Sequence, residues 1–75
     1  MRYEKKIKLK TEDVQDFVRA AERCDFDVDV FYNRVIVDAK SILGVLGLDL
    51  SRILTVRYAE KDHRFEQVLQ KYCVA

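Results

Sequence analysis

Ser41 stands directly before an uncharged run, Ile42 to Leu48, that consists of aliphatic residues and two glycines. A serine at the start of a helix accepts a hydrogen bond from a free backbone N–H and so forms an N-cap. The same position also suits a phosphate, because the free N–H groups and the helix dipole favour negative charge there. The pattern predicts a short helix capped by Ser41, and it makes Ser41 a candidate for regulatory phosphorylation.

The apolar run behind Ser41 holds more aliphatic side chains than a helix of two turns can bury along one stripe. One alternative is a short helix that is fully buried in a tight core. The other is a helix with an exposed apolar cluster, and such clusters mark partner surfaces on small domains. We expect Ile42, Leu43 and Leu46 to be partly exposed and, together with Lys40, to form a contact surface for a protein partner.

Other side chains capable of chemistry are scattered along the chain. His63 is the only histidine, and it lies in the first turn of the last predicted helix. Asp27 and Asp29 share one side of a predicted strand, but no histidine or third carboxylate joins them, so we predict a solvated face and no metal site. Cys24 and Cys73 are too few and too far apart for a zinc site or a disulfide framework, and we expect buried free thiols. No cofactor is predicted.

Hydrophobic spacing along the chain alternates between a period of two and a period of 3.6 residues. Alternation predicts half-buried strands, and helical spacing predicts amphipathic helices. The strands are expected at Tyr3–Lys10, Phe26–Tyr32, Val35–Val37 and Ile53–Ala59. The helices are expected after Thr11, Ser41 and Asp62, each of which is a suitable cap. Asn33-Arg34 is expected to turn a hairpin, because Asn tolerates positive φ.

This order of elements, strand-helix-strand-strand-helix-strand-helix, predicts an α+β fold. Its simplest form is a four-stranded antiparallel sheet with three helices on one face. The length of 75 residues and the absence of proline and of Gly/Ser-rich linkers predict one domain over residues 1–75.

Charge and composition exclude several classes of partner. Lysine and arginine number 14 against 13 acidic residues, so the net charge is +1 and no field attracts nucleic acid or a membrane. The N-terminal segment lacks the apolar run of a signal peptide, and no transmembrane span is predicted. We therefore expect a cytoplasmic protein that is a monomer or a weak homodimer.

The segment from Asp38 to Leu48 resembles the regulatory-serine segment of the HPr phosphocarriers of the bacterial sugar phosphotransferase system. In that family a Lys-Ser-Ile-Met-Gly-Val-like run opens the second helix, and a regulatory kinase phosphorylates its serine in some bacteria. The similarity extends from Ile7 to about Tyr72. It implies the HPr-like open-faced β-sandwich, of order βαββαβα, and it agrees with the fold predicted from the spacing.

The same resemblance shows that the family's nucleophilic histidine has no counterpart at the matching position of this sequence. The HPr family carries its nucleophilic histidine between the first strand and the first helix, in a Gly-X-His-Ala-Arg-Pro-Ala motif. Here that junction, Leu9 to Gln15, contains no histidine, arginine, glycine or proline. The resemblance therefore implies a divergent member that is neither a phosphocarrier nor an enzyme.

The function implied is that of the catabolite-repression paralogues of HPr, which lack the histidine, retain the serine and bind a transcriptional regulator. The protein partner would be a regulator, a kinase or a permease component. Two alternatives stay open: an atypical phosphoryl acceptor that uses His63 or Ser41, and a structural module that associates with itself through the central helix.

Overall fold

The computed structural model describes residues 2–74. It contains four strands and three helices in the predicted order. The strands are β1 (Tyr3–Ile7), β2 (Val28–Tyr32), β3 (Val35–Asp38) and β4 (Leu54–Tyr58). The helices are α1 (Val14–Glu22), α2 (Ile42–Leu46) and α3 (His63–Tyr72), and a short 3-10 helix, Thr11–Asp13, leads into α1.

The four strands form one sheet in the order β1-β4-β2-β3, and every neighbouring pair is antiparallel. Tyr3 lies opposite Tyr58 and Ile7 lies opposite Leu54, so the first and last strands of the sequence pair through their whole length. The predicted four-stranded antiparallel sheet is thereby confirmed.

One apolar core lies between the inner face of the sheet and the three helices. Strand side chains of the inner face, such as Ile7, Val30 and Val56, are fully buried. The α1 and α3 helices meet at Phe17 and Phe65, whose ring centroids are 6.4 Å apart. The opposite face of the sheet carries no helix among residues 2–74 and is the open face of the sandwich. None of the helices in this part of the chain is long and apolar enough to cross a membrane.

The start of the first helix differs from the prediction. We expected Thr11 to act as the cap, but Thr11 lies inside the 3-10 helix and its N-cap position is Lys10. The Asp13 carboxylate accepts a hydrogen bond from the backbone N–H of Lys10 at 2.9 Å. Because Asp13 satisfies the N–H of the cap residue from within the first turn, the helix needs no threonine cap.

The hairpin between β2 and β3 forms at Asn33-Arg34, as predicted. Asn33 has φ of 51° and is the only non-glycine residue with positive φ in the described segment. Arg34 therefore does not need the left-handed conformation that would be unfavourable for it.

The chain after α3 returns to the sheet and covers the outer edge of β1. Cys73 forms an isolated bridge with Ile7, and the N–H of Val74 donates to the carbonyl of Lys6 at 2.9 Å. The expectation of two buried thiols is correct for Cys24 and wrong for Cys73, which is exposed. The helical stripe ends at Tyr72 because Cys73 takes an extended conformation to reach β1.

Candidate protein-binding surface around the second helix

Ser41 caps α2 as the sequence predicts. Its backbone is extended, and its hydroxyl oxygen accepts a hydrogen bond from the N–H of Gly44 at 3.1 Å. The Ser41 carbonyl accepts from the N–H of Val45 at 3.0 Å, which begins the helical ladder. The side chain of Ser41 is nevertheless exposed. Ser41 is therefore accessible from solvent, and its phosphorylation stays a prediction.

Gly44 allows α2 to lie close to β3. A Cβ atom at this position would stand 3.3 Å from Cβ of Val37 and 3.2 Å from the hydroxyl oxygen of Ser41. Both distances are shorter than ordinary van der Waals contact, so the missing side chain serves the packing of α2 and its cap. Val45 and Leu48 then fill the core below the helix.

The other side of α2 faces solvent. Leu43 is 79% exposed, and Ile42 and Leu46 are each 42% exposed. The predicted exposure of these three side chains is therefore confirmed, while their use by a partner stays a prediction. We call Ser41, Ile42, Leu43 and Leu46 the α2 surface.

Lys40 has a structural contact that the sequence did not indicate. Its ammonium group donates a hydrogen bond to the carbonyl of Cys24 at 2.9 Å, just past the end of α1. A cation at this position is favourable because the carbonyls at the end of a helix carry partial negative charge. The side chain is half-buried, and the use of Lys40 by a partner stays a prediction.

The junction between β1 and α1 contains no histidine, so no imidazole is available there as a phosphoryl carrier. Thr11 and Glu12 are exposed there, and the Asp13 carboxylate is bonded to the Lys10 backbone. Two acidic side chains at this helix start repel an incoming phosphoryl group, and imidazole is absent.

His63 lies at the other end of the sheet. Because β1 and β4 are antiparallel, α1 begins near the Ile7–Leu54 pair whereas α3 begins near the Tyr3–Tyr58 pair. His63 is exposed, and its Nε2 atom lies 3.3 Å from the side-chain nitrogen of Gln67. It also lines a surface pocket of about 400 Å³ together with Arg23 and Arg64. No sequence pattern indicates this grouping, because Arg23 comes near α3 only in the folded chain.

The two thiols have different surroundings. Burial raises the pKa of the Cys24 thiol, and its sulfur donates weakly to the carbonyl of Ala20 at 3.5 Å. Since the thiolate is the reactive form, Cys24 is a poor nucleophile at neutral pH.

Comparisons with known proteins give one informative result. No protein-family model matches the chain, and no curated protein matches its sequence. Among solved structures, the chain is similar to the phosphocarrier protein HPr from Bacillus anthracis strain Ames, with a TM-score of 0.70. The alignment covers 96% of this chain and 95% of that one, at 20% sequence identity. The chain has an HPr-like fold. At this identity, the likeness establishes the architecture alone.

Proposed function

We propose that the chain is an HPr-like regulatory module, related to the sugar phosphotransferase system, that binds a protein partner through the α2 surface. The observation that carries this proposal is the 79% exposure of Leu43, with Ile42 and Leu46 beside it on a helix of five residues. An apolar cluster of this kind on a small domain is typical of a protein-binding site.

Phosphorylation of Ser41 is the proposed control of that binding. A phosphoserine carries a charge of about −1.5 to −2 at neutral pH, and it is tolerated at a helix N-terminus. The exposed hydroxyl of Ser41 stands next to Ile42 and Leu43, so the added charge would alter the surface at the point where the partner docks. Phosphorylation would thus change the affinity without requiring a change of fold.

The module is further proposed to act without carrying phosphoryl groups itself. This part rests on the junction before α1, where Glu12 and Asp13 stand and no imidazole is present. Its role would then be that of a binding protein and not of an enzyme, in the bacterial cytoplasm.

The test begins with an HPr-type serine kinase and ATP, followed by mass spectrometry to locate any phosphate. The phosphorylated and unmodified proteins are then titrated by calorimetry into a transcriptional regulator that binds the catabolite-repression paralogues of HPr. We expect phosphate on Ser41 and tighter binding of the phosphorylated form.

The variant Leu43→Ser should abolish this binding. Ile53→Ser is the matched control, because Ile53 is also exposed, at 55%, but lines a groove with Lys6 and Phe31 on the open face of the sheet. Equal losses in the two variants, or none in either, would contradict the assignment of the α2 surface.

A further inference from the structure

The two edge strands of the sheet, β1 and β3, differ in whether another segment pairs with them. The edge of β1 is paired with the segment that follows α3, through the Ile7–Cys73 bridge and the hydrogen bond from Val74 to Lys6. The edge formed by β3 has no such neighbour within residues 2–74. An uncovered edge presents unpaired N–H and C=O groups to any strand that can add to it.

The register of the β2–β3 hairpin shows which backbone N–H and C=O groups lie on the open edge of β3. The N–H of Ala39 donates to the carbonyl of Val28 at 2.9 Å, so Ala39 points its backbone toward β2. Backbone groups of alternate residues in an antiparallel strand point to the same side. Val35 and Val37 therefore also face β2, and Ile36 faces outward with both its N–H and its C=O.

The exposed side chains of β3 are apolar. Ile36 is 59% exposed and lies on the open face next to Phe31, its partner in β2. Val35 is 44% exposed. A bare edge with exposed branched side chains is suited to pairing with another strand of the same kind.

The charged residues at the two ends of β3 indicate which kind of strand would pair with its open edge. Asp38 lies directly opposite Asp29, which is an unfavourable like-charge pair across the strands. Arg34 is exposed at the other end of β3, and no ion pair within the described residues involves either Arg34 or Asp38. Arg34, in the hairpin turn, and Asp38, the last residue of β3, thus place one charge of each sign two residues on either side of Ile36. The Asp38 carboxylate accepts a hydrogen bond from the backbone N–H of Lys40 at 2.9 Å but has no cationic partner among the described residues.

We propose that β3 pairs with β3 of a second copy of this chain, antiparallel and centred on Ile36, to form a continuous eight-stranded sheet. A two-fold axis between two identical antiparallel strands passes midway between one residue and its own copy in the other strand. Ile36 can be that residue because its backbone N–H and C=O both point outward. The two copies of Ile36 exchange both backbone hydrogen bonds. Each Arg34 then lies opposite Asp38 of the other copy, and Val35 lies opposite Val37.

This pairing gives an oppositely charged neighbour both to Arg34 and to Asp38, neither of which has an ion pair among the described residues. Asp29 has Arg57 opposite it in β4, and Arg34 of the second copy supplies the corresponding positive charge on the Asp38 side. The closed two-fold symmetry uses the same patch on both molecules, so the assembly stops at a dimer. The inference uses β3 and not the α2 surface, so it holds or fails independently of the proposed function.

Sedimentation equilibrium from micromolar to millimolar concentration tests the dimer with two charge reversals. R34D places a carboxylate against Asp38 of the other copy, and D38R places two guanidinium groups opposite each other. Each variant alone should weaken self-association roughly tenfold or more. An equimolar mixture of the two should associate again as a heterodimer, because each chain then supplies the charge that the other needs.

Controls separate this effect from misfolding. Aspartate is well tolerated in a hairpin turn, and thermal unfolding of both variants verifies their folding. R23D reverses an exposed charge that lies after α1 and away from β3. This variant should self-associate as strongly as the wild type. Amide hydrogen exchange adds a direct readout: the N–H of Ile36 should become protected as the protein concentration rises.

A wild-type protein that sediments as a monomer at every concentration would overturn the proposal. So would a mixture of R34D and D38R that stays monomeric, or an Ile36 amide whose exchange does not depend on concentration.

Discussion

The hydroxyl oxygen of Ser41 accepts a hydrogen bond from the backbone N–H of Gly44 at 3.1 Å. In the unmodified protein this contact satisfies one of the free donors at the start of α2. Ser41→Ala should therefore lower the free energy of unfolding by about 1 kcal/mol. Ser41→Asp should lower it by less, because aspartate caps helices equally well and its charge suits the dipole. Urea denaturation of the three proteins measures both differences.

A Ser41→Ala variant as stable as the wild type would show that the Ser41 hydrogen bond adds no measurable stability and that core packing holds α2. An Ser41→Asp variant that is less stable than Ser41→Ala would contradict the tolerance of negative charge at this helix start. That tolerance is required if phosphorylation controls binding.

Leu43 and Val45 both lie on α2, but truncating their side chains should cost very different amounts of stability. Leu43 is 79% exposed, so Leu43→Ser should change the free energy of unfolding by no more than about 0.5 kcal/mol. Val45 is fully buried, and Val45→Ala should cost about 2 kcal/mol because it leaves a cavity in the core. Denaturant titration gives both values. A loss of several kcal/mol in Leu43→Ser would mean that Leu43 belongs to the core.

The contact between α1 and the end of α3 should give stability that depends on pH. The hydroxyl of Tyr72 and the ammonium of Lys71 donate to the same oxygen of Asp16, at 2.6 and 3.1 Å. The Tyr72 hydrogen bond, with help from Lys71, holds the pKa of Asp16 below its ordinary value of 3.8. The unfolded chain therefore binds the proton more readily. The stabilisation is fully present above pH 3.8 and is lost as the pH falls through the lower folded-state pKa.

Asp16→Asn should accordingly lower stability at neutral pH and have a smaller effect in acid. The loss should stay below about 1 kcal/mol, because the carboxylate is half exposed and solvent screens it. Tyr72→Phe should produce a similar loss, and the double variant should lose less than the sum of the two. Urea titrations at neutral pH and near pH 3 are the measurement. Strictly additive losses would show that the hydroxyl and the carboxylate do not interact in solution.

Much of the fold was predictable from local pattern. Alternation of apolar residues located β1 and β2, the Asn33-Arg34 turn located β3, and a β-branched and aromatic composition located β4. Helical spacing with Asp62 as a cap located α3, where the Asp62 carboxylate accepts from the N–H of Phe65 at 2.9 Å. Element ends were less accurate: β1 ends at Ile7 and not at Lys10, and β2 begins at Val28 and not at Phe26. The end of a strand depends on where its neighbouring strand ends. The sequence of one segment alone carries no information about that neighbour.

The contacts around the candidate site were predictable only in part. The Ser41 cap and the excess of aliphatic residues on α2 are local features, and both indicated the observed geometry. The bond from Lys40 to the Cys24 carbonyl spans 16 residues and depends on how α2 packs near the end of α1. The exposure of Cys73 likewise follows from its pairing with Ile7, a residue at the far end of the chain. Such long-range pairs leave no periodic signal in the sequence.

Phosphotransfer from phosphoenolpyruvate is expected to fail in this chain. A phosphocarrier must accept and release its phosphoryl group with little loss of free energy, which an imidazole permits and a serine or threonine ester does not. The junction before α1 offers Thr11, Glu12 and Asp13, so any ester formed on Thr11 would be stable and not transferable. Incubation with the general enzyme of the phosphotransferase system and labelled phosphoenolpyruvate should leave no acid-labile label on the protein.

The control for this experiment is a His63→Ala variant, because His63 carries the only imidazole in the sequence. It lies at the start of α3, at the opposite end of the β1–β4 pair from the start of α1. An enzyme that recognises the usual end of an HPr-like sheet would therefore not reach it. His63→Ala should behave like the wild type, with neither protein labelled. Acid-labile label on the wild type that disappears in His63→Ala would show that His63 is a carrier residue and that the binding module also transfers phosphate.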